Sequence, residues 1–256
     1  MGCNESNVSD YFKKHLFPQG ATTKVPTGSL FSVANKHIAR HLLPSLPTAM
    51  APWAITQPQP DLLYGHPKTP PTFTEAQLIA LLGLHSQIPF YAQASPGLWF
   101  HFFTVEFKAA AGTGGSLWAA ANQCAGASAA CVQAINQLNI RLGYVGCNGH
   151  VPNICYSLAI DNSLAQLYVS WGAEDKGNLV IYIQRVGSFL LSSPKHFTCI
   201  HRWVTAILNW EQGGRLRNIQ LALDFIQDEK QEVVSGVAKS RPGPEGSPGG
   251  KRRRLK

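Results

Sequence analysis

The sequence predicts a mixed α/β fold of the α+β kind, in which helices flank one β-sheet. Residues 99–108 (WFHFFTVEFK) are aromatic, β-branched and almost wholly apolar, which is typical of a central strand covered on both faces. Residues 116–138 follow as a long helical run rich in Ala, Gly, Ser and Cys, whose small side chains allow a helix to approach a sheet closely. Strands and helices on both sides of this pair favour a single mixed core.

The part of the chain before the central strand is predicted to be irregular, because ten of the seventeen prolines in the whole protein precede residue 72. The elements predicted there are a flexible segment (1–28), a helix that ends before Pro44 (29–43), a strand interrupted by Pro58 and Pro60 (53–65), and a short helix to about His85 that the capping box of Thr74 and Gln77 opens.

The chain after the central strand has a regular order. Its predicted elements are a tight glycine turn (112–115), the long helix (116–138), a hairpin of two strands (154–160 and 164–171), a third strand (179–186), a helix from the N-cap Ser193 to about Trp210, a break at Gly213 and Gly214, and a last helix (215–234). The predicted organisation is therefore a flexible N-terminal segment (1–28), a single domain (29–235) and a disordered basic tail (236–256).

The composition indicates a chain that buries a core of ordinary size. It has 256 residues, of which 45% are hydrophobic, and this content excludes a disordered chain. No apolar run reaches the roughly 18 residues of a membrane span. The six cysteines form no CxxC pair and no secretory signal is visible, which predicts free, mostly buried thiols in a reducing compartment and excludes a four-cysteine structural zinc site.

Most of the formal net charge of +8 lies in the C-terminal tail, so the rest of the chain is close to neutral. The tail ends in the cluster KRRRLK, from Lys251 to Lys256, which predicts binding by the nuclear import machinery and a nuclear localisation. The alternatives are a cytoplasmic protein and a membrane-anchored one, because the start MGCNES fits N-myristoylation at Gly2 with Cys3 available for palmitoylation.

Two carboxylates and an ammonium are predicted to meet at one end of the sheet. Glu106 and Lys108 are two residues apart, so on a strand they point to the same side. Asp61 would reach them from the adjoining strand. The two carboxylates and the Phe107 carbonyl supply the oxygen ligands that Mg²⁺ prefers, and the lysine would orient a water or stabilise negative charge. This set suits phosphodiester hydrolysis, and the alternative is a structural ion pair.

The pattern of Asp61 with Glu106-x-Lys108 resembles that of the PD-(D/E)XK, or restriction-endonuclease-like, nuclease superfamily. Gln123 strengthens the resemblance, because several exonuclease-like branches carry a glutamine in the helix after the E-x-K strand. The chain is most similar to a fungal family of uncharacterised domains assigned to that superfamily, through the blocks QPQPDLLYG, FFTVEFK, ANQCAGAS, YSLAIDNSLAQLYVSW and YIQRVGSFLLSSPKHF. The resemblance implies a restriction-endonuclease-like mixed sheet of about four or five strands flanked by helices.

The function implied is a metal-dependent nuclease that acts on DNA or RNA. Asp61, Glu106 and the Phe107 carbonyl would bind Mg²⁺ or Mn²⁺, Lys108 would act on the water, and Gln123 would position the site. The alternative is a catalytically inactive nuclease-fold module that binds nucleic acid or a partner protein. The near-neutral body and the lack of an acidic residue in 29–43 favour that alternative.

Two other motifs are interpreted as structural. His37 and His41 are four residues apart on the predicted helix, as in zinc hydrolases, but the run HIARH lacks the glutamate of HExxH. They are therefore assigned to a partly buried polar face. Cys124 and Cys131 lie on one face of the long helix and are assigned to packing.

Overall fold

The computed structural model describes residues 5–17, 31–43, 56–68, 72–87, 93–109, 116–147 and 149–239. Within them it has the predicted mixed α/β architecture. Its strands are β1 (Phe31–Val33), β2 (Leu62–Pro67), β3 (Gln93–Ser95), β4 (Leu98–Phe107), β5 (Ile154–Ile160), β6 (Leu164–Asp175) and β7 (Asn178–Leu190). Its α-helices are α1 (Glu5–His15), α2 (Glu75–Gln87), α3 (Leu117–Tyr144), α4 (Pro194–Trp210) and α5 (Leu216–Lys239). A 3₁₀ turn spans Arg40–Leu42, and a π-helical turn at Glu211–Arg215 joins α4 to α5.

The described strands form one sheet in the spatial order β1-β2-β4-β5-β6-β7, with β3 paired to β4. Of the paired strands, β4 and β5 alone run parallel, and α3 makes the crossover between them. The expectation of about four or five strands is too low, since the described sheet has seven. The strands β1 and β3 have only three residues each, too few for a pattern of alternating hydrophobicity to predict them.

Strand β4 is buried along its whole length because layers of helix cover both of its faces. On one face Val105 and Phe107 pack in a core that includes residues of α1 and α4. On the other face α3 lies against the sheet through small residues, among them Ala120, Cys124 and Ala127. The small side chains of the long helix therefore allow it to approach the sheet closely, as the sequence predicts. Helices α2 and α5 pack at the beginning of β4.

Local signals place several element ends as predicted. The side chains of Ser116 and Ser193 cap α3 and α4 by accepting backbone N–H groups. Thr74 and Gln77 exchange side-chain hydrogen bonds of 3.2 and 3.0 Å in a capping box at the start of α2. The Asp161 carboxylate accepts the N–H of Leu164 at 2.7 Å, which closes the turn of the β5–β6 hairpin.

The prediction of a flexible segment over 1–28 is wrong for residues 5–17. Helix α1 lies there, and its apolar side buries Val8, Phe12 and Leu16 in the core that α4 and β4 share. Residues 1–4 and 18–30 lie outside the described residues, and so do Gly2 and Cys3.

The prediction of a helix over 29–43 is also wrong in the described part, residues 31–43. Strand β1, an extended stretch and the 3₁₀ turn occupy it. Asn35 has a positive φ of 50°, and the N–H groups of Asn35 and Ile38 donate to the carbonyls of Pro60 and Pro58. The backbone therefore pairs with the chain that precedes β2, and this tertiary pairing overrides the helical period of the side chains.

The predicted helix break at Gly213 and Gly214 is absent, because the π-helical turn carries the chain from α4 directly into α5. Helix α5 extends to Lys239, past its predicted end at 234 and into the segment predicted to be disordered. Residues 240–256, which include the cluster from Lys251 to Lys256, and residues 110–115 lie outside the described residues. Within the described part of the chain, no helix has the length and hydropathy of a membrane span.

Candidate functional site

Asp61, Glu106 and Lys108 lie together at the end of β4, and we call these three residues the acid–lysine site. Strands β2 and β4 are antiparallel with Leu62 opposite Val105, so Asp61, one residue earlier, lies beside Glu106. The Oδ2 atom of Asp61 accepts a hydrogen bond of 2.7 Å from the backbone N–H of Phe107. Asp61 is thereby fixed to the backbone between the other two residues.

Lys108 contacts the oxygen atoms that the sequence assigns to a metal. Its Nζ atom donates a hydrogen bond of 3.0 Å to the Phe107 carbonyl and lies 3.8 Å from Oε2 of Glu106. Glu106 is 1% exposed and Lys108 is 8% exposed, whereas Asp61 is half-buried. The site therefore lies at the margin of the core.

Helix α3 covers this site through Cys124, a residue that the sequence assigns only to packing. Cys124 packs with Ala159, which is the β5 neighbour of Glu106. Burial raises the pKa of the Cys124 thiol, and the charges of Glu106 and Asp61 raise it further. Both carboxylates therefore act on one thiol, and that thiol stays protonated.

Gln123 lies next to Cys124 on α3, but its side chain is exposed while that of Cys124 is buried. The helix thus turns Cys124, and not Gln123, toward the sheet beside Glu106. The structure therefore brings together three of the four residues for which the sequence predicts a catalytic role. It leaves Gln123 at the outer margin of the same helical turn.

Two polar residues near the acid–lysine site, Gln166 and Tyr168 on β6, were not predicted from the sequence. The register places Glu106, Ala159 and Gln166 side by side on three successive strands. The Tyr168 hydroxyl donates a hydrogen bond of 2.6 Å to Oε1 of Gln166. Burial raises the pKa of Tyr168, partly offset by Arg185 on the neighbouring strand. The available signal was the period of two in LAQLYVS, which puts both polar side chains on one face.

The donors of the acid–lysine site are hard oxygen atoms. Two carboxylates and one carbonyl match the ligand preference of Mg²⁺ and Mn²⁺, and the ammonium of Lys108 already lies against two of these groups. This position of the ammonium indicates that the site favours positive charge. Among the described residues, no group of three or more His, Cys, Asp or Glu side chains is placed to hold a metal ion. A cation here would therefore depend on the backbone carbonyl and on ligands from water or substrate.

A model of one protein family, described as a domain of unknown function (DUF7924), matches residues 1–223. The chain belongs to the DUF7924 family. The match includes α1, the whole sheet and the acid–lysine site, so all of these belong to the family domain. No curated protein and no solved structure matches the chain.

The DUF7924 domain holds a second charged cluster, formed by His66, Glu211 and Arg215, which we call the sealed cluster. Oε1 of Glu211 lies 2.8 Å from Nε2 of His66 and 2.6 Å from Nη1 of Arg215, and all three side chains are fully buried. Glu211 and Arg215 begin and end the π-helical turn. Burial alone would lower the pKa of Arg215, but the charge of Glu211 and its hydrogen bond, together with Cys131 and Cys155, outweigh burial and the net shift is upward. The guanidinium therefore stays charged inside the protein.

Proposed function

We propose that this DUF7924 domain is a metal-dependent nuclease of the PD-(D/E)XK type, which hydrolyses phosphodiester bonds of DNA or RNA. The observation that carries the proposal is the convergence of Asp61, Glu106 and Lys108 at the end of the buried strand β4. The resemblance of five sequence blocks to fungal domains of that superfamily supports it. The mixed sheet with a parallel β4–β5 pair and a crossover helix is compatible with it.

Each residue has a distinct role in this proposal. Glu106, Asp61 and the Phe107 carbonyl would hold Mg²⁺ or Mn²⁺, which would supply Lewis-acid chemistry for hydrolysis of the phosphodiester. Asp61 also fixes the Phe107 peptide through the hydrogen bond to its N–H. Lys108 moves its ammonium from the Phe107 carbonyl to the attacking water or to the negative charge that develops on the phosphate. Gln123, exposed on α3 next to Cys124, positions the site in this proposal.

One observation favours a second candidate function, a catalytically inactive module of the same fold that binds nucleic acid or a partner protein. The ammonium of Lys108 already balances Glu106 and occupies the Phe107 carbonyl. The carboxylate therefore has a positive neighbour without any metal. In this candidate, binding of nucleic acid needs no divalent cation.

Metal titration is the first test. Calorimetric titration of Mg²⁺ and Mn²⁺ into the wild-type chain is expected to give binding that Glu106→Ala abolishes. The matched control is Glu174→Ala, because Glu174 is an exposed carboxylate at the end of β6. Binding that persists in Glu106→Ala would place the metal elsewhere and contradict the site.

Cleavage of labelled DNA and RNA is the second test. With Mg²⁺ or Mn²⁺ present, we expect Glu106→Ala and Lys108→Ala to lose about a hundredfold or more in rate, since each removes a group that acts on the transition state. Lys176→Ala is the control for loss of an exposed lysine. Circular dichroism would verify that each variant is folded. Undiminished cleavage by both variants would refute the nuclease proposal, whereas metal-independent binding without cleavage would support the second candidate.

The partners and the location belong to the same proposal. Nucleic acid is the expected partner, the cluster from Lys251 to Lys256 would direct the chain to the nucleus, and acylation at Gly2 and Cys3 is the alternative that would attach it to a membrane. Imaging of a fluorescent fusion with and without that cluster separates these expectations. Nuclear signal that is lost with the cluster supports import.

A further inference from the structure

Strand β7 lies at one edge of the described sheet, where β6 is the strand that pairs with it. It spans 13 residues, contains no proline and carries a single charged side chain, that of Arg185. Edge strands of native sheets are usually short, or are protected by proline and charge, because an open edge can pair with a strand of another chain. The length and composition of β7 therefore identify this edge as a surface suited to such pairing.

The side chains of β7 are apolar on both faces of the sheet. Tyr182 and Ile183 are successive residues and so point to opposite faces, and they are 44% and 43% exposed. Tyr182 stacks on Trp171 of β6 with the ring centroids 5.6 Å apart, which places two aromatic rings side by side at the edge. A strand of another chain that pairs with β7 would therefore cover apolar surface on both faces.

The regular part of β7 limits how a second copy of the chain can pair with it. The register against β6 is continuous over residues 178–185 and then shifts at a bulge. Two copies that pair antiparallel are related by a two-fold axis, which passes beside one residue of each strand. An axis at Ile181 pairs residues 178–184 of the two copies, and an axis at Tyr182 pairs residues 179–185. The charges next to the strand distinguish these two positions.

Arg185 and Glu174 favour the axis at Tyr182. With that axis, Arg185 lies opposite Leu179 of the second copy, and Leu179 lies opposite Glu174 of its own chain on β6. The three residues then stand side by side on successive strands and point to one face of the sheet. Adjacent strands are about 4.8 Å apart, so the arginine and glutamate side chains can meet across the strand between them. The symmetry forms this pair twice.

Within one chain these two charges cannot meet. Arg185 lies opposite Tyr168 and Glu174 lies further along β6, at a distance of about 20 Å for the residues between 168 and 174. Both side chains are exposed, and neither forms an ion pair among the described residues. An axis at Ile181 would place Arg185 opposite the hairpin turn and past Glu174 of the second copy. Only the axis at Tyr182 therefore aligns the two charges.

We propose that the chain forms a symmetric dimer in which two copies of β7 pair antiparallel about Tyr182. The rings of the two Tyr182 residues lie opposite each other, each stacked on Trp171 of its own chain, and each Ile183 lies opposite Ile181 of the other copy. These apolar contacts drive association, while the two exposed ion pairs, which are individually weak, fix the register. The dimer goes beyond the proposed function and is independent of it, because it uses no residue of the acid–lysine site.

Sedimentation equilibrium of the full chain tests the dimer. We expect a mass that rises with concentration from 27.9 kDa towards twice that value. Ile183→Lys should raise the dissociation constant by about tenfold or more, because it places a charge in the apolar contact. The matched control is Leu221→Lys, which changes a side chain that is 56% exposed on α5 and should associate like the wild type. Circular dichroism verifies that both variants are folded.

Exchange of the two charges tests the register. Arg185→Glu and Glu174→Arg should each weaken the homodimer, because each brings like charges together twice. An equimolar mixture of these two variants should associate as strongly as the wild type, since every pair across the interface is then again of opposite charge. A contact within one chain could not produce this recovery, and the recovery also shows that both variants are folded.

A cysteine at the axis gives an independent measurement. Tyr182→Cys places two thiols on directly opposite residues, whose Cα atoms are about 5 Å apart, so mild oxidation should link the copies. Gln184→Cys is the control, because its two copies would be about 13 Å apart along the strands and should cross-link no more than the wild type.

Three results would overturn the dimer. The first is a wild type that stays monomeric up to about 1 mM, which would leave the β7 edge to a strand of another protein. The second is association of Ile183→Lys that equals that of Leu221→Lys. The third is failure of the mixed charge variants to associate, because the proposed register requires their recovery. Loss of nuclease activity would not affect these measurements, and a monomeric chain would not affect the nuclease proposal.

Discussion

Strand β2 has a charged cluster near each of its ends, and the two clusters satisfy their charges differently. In the sealed cluster Glu211 Oε1 lies within 2.8 Å of His66 and 2.6 Å of Arg215, and every side chain is fully buried. In the acid–lysine site the Lys108 ammonium lies 3.8 Å from the Glu106 carboxylate and donates a hydrogen bond of 3.0 Å to the Phe107 carbonyl. The tighter ion pair is thus the one further from solvent.

This difference separates a structural role from a chemical one. A fully buried charge requires a close partner, because otherwise desolvation would cost more than folding can offset. The sealed cluster meets that requirement within the protein. The acid–lysine site lies at the margin of the core, where Asp61 is only half-buried, so a ligand can reach it. The better ion pair is therefore the worse candidate for catalysis.

The largest expected effect tests this comparison directly with two carboxamide variants. Glu211→Gln removes the counter-charge of a fully buried guanidinium and should lower the free energy of unfolding by about 3–5 kcal/mol. Glu106→Gln should lower it by only about 1 kcal/mol, because Lys108 retains its hydrogen bond to the Phe107 carbonyl. Urea denaturation at pH 7 measures both.

The control for these variants is Glu174→Gln, which changes an exposed carboxylate at the end of β6 and should leave stability nearly unchanged. Equal losses in Glu211→Gln and Glu106→Gln would break the comparison, because the acid–lysine site would then carry as much of the stability as the sealed cluster.

The sequence could predict the Glu106 and Lys108 part of the acid–lysine site because its signals are local, whereas Asp61 lies 46 residues before Phe107 and was joined to them by the resemblance to the PD-(D/E)XK pattern. Glu106 and Lys108 share a strand with a period of two, and the strand that holds them has an unmistakable composition. The same locality predicted the cap at Ser193, the capping box of Thr74 and Gln77, and the β5–β6 hairpin. Each of these features depends on residues within a few positions of one another.

The sealed cluster could not be predicted, because His66 and Glu211 are 145 residues apart and no pattern joins them. The prediction of a helix over 29–43 was wrong for a related reason. The side chains of this segment follow a helical period, but the backbone of Asn35 and Ile38 pairs with Pro60 and Pro58. Long-range pairing of this kind overrides local preference and leaves no trace in a single sequence. His37 and His41, which were predicted on a helix, were misplaced with that segment.

The second expected effect is a dependence of the protein's stability on pH, which comes from a histidine near the sealed cluster. His101 is fully buried, and burial lowers its pKa to about 3, with the charge of Arg215 from the sealed cluster adding to the shift. The unfolded chain takes up this proton near pH 6.5, whereas the folded chain does not until about pH 3. Stability is therefore complete above pH 6.5 and falls by about 1.4 kcal/mol per pH unit between these values.

The variant His101→Gln should remove this slope, because glutamine does not titrate and retains an N–H that can reach the Ala127 carbonyl. Urea midpoints for wild type and variant at several pH values between 7 and 4 give the two slopes. His150→Gln, an exposed histidine, should keep the wild-type slope. Parallel slopes for His101→Gln and wild type would mean that His101 is protonated in the folded chain.

The smallest expected effect concerns the two glycines of the π-helical turn that holds Glu211 and Arg215. A Cβ at Gly213 or Gly214 would meet no atom within 4 Å, and neither residue has a φ in the left-handed region. Gly213→Ala and Gly214→Ala should therefore each raise the free energy of unfolding by about 0.4–1 kcal/mol, because alanine restricts the unfolded chain.

The contrasting variant is Gly65→Ala on β2, where a Cβ would lie 2.8 Å from the Trp99 carbonyl oxygen, so it should destabilise. Urea midpoints rank the three variants. If alanine stabilises the turn, glycine is not what allows the π geometry, and the pairing of Glu211 with His66 and Arg215 holds the turn in place. If alanine destabilises it, the turn depends on backbone freedom, and the sealed cluster would then be under strain. That result would remove the contrast with the acid–lysine site, because strain of this kind is itself typical of functional sites.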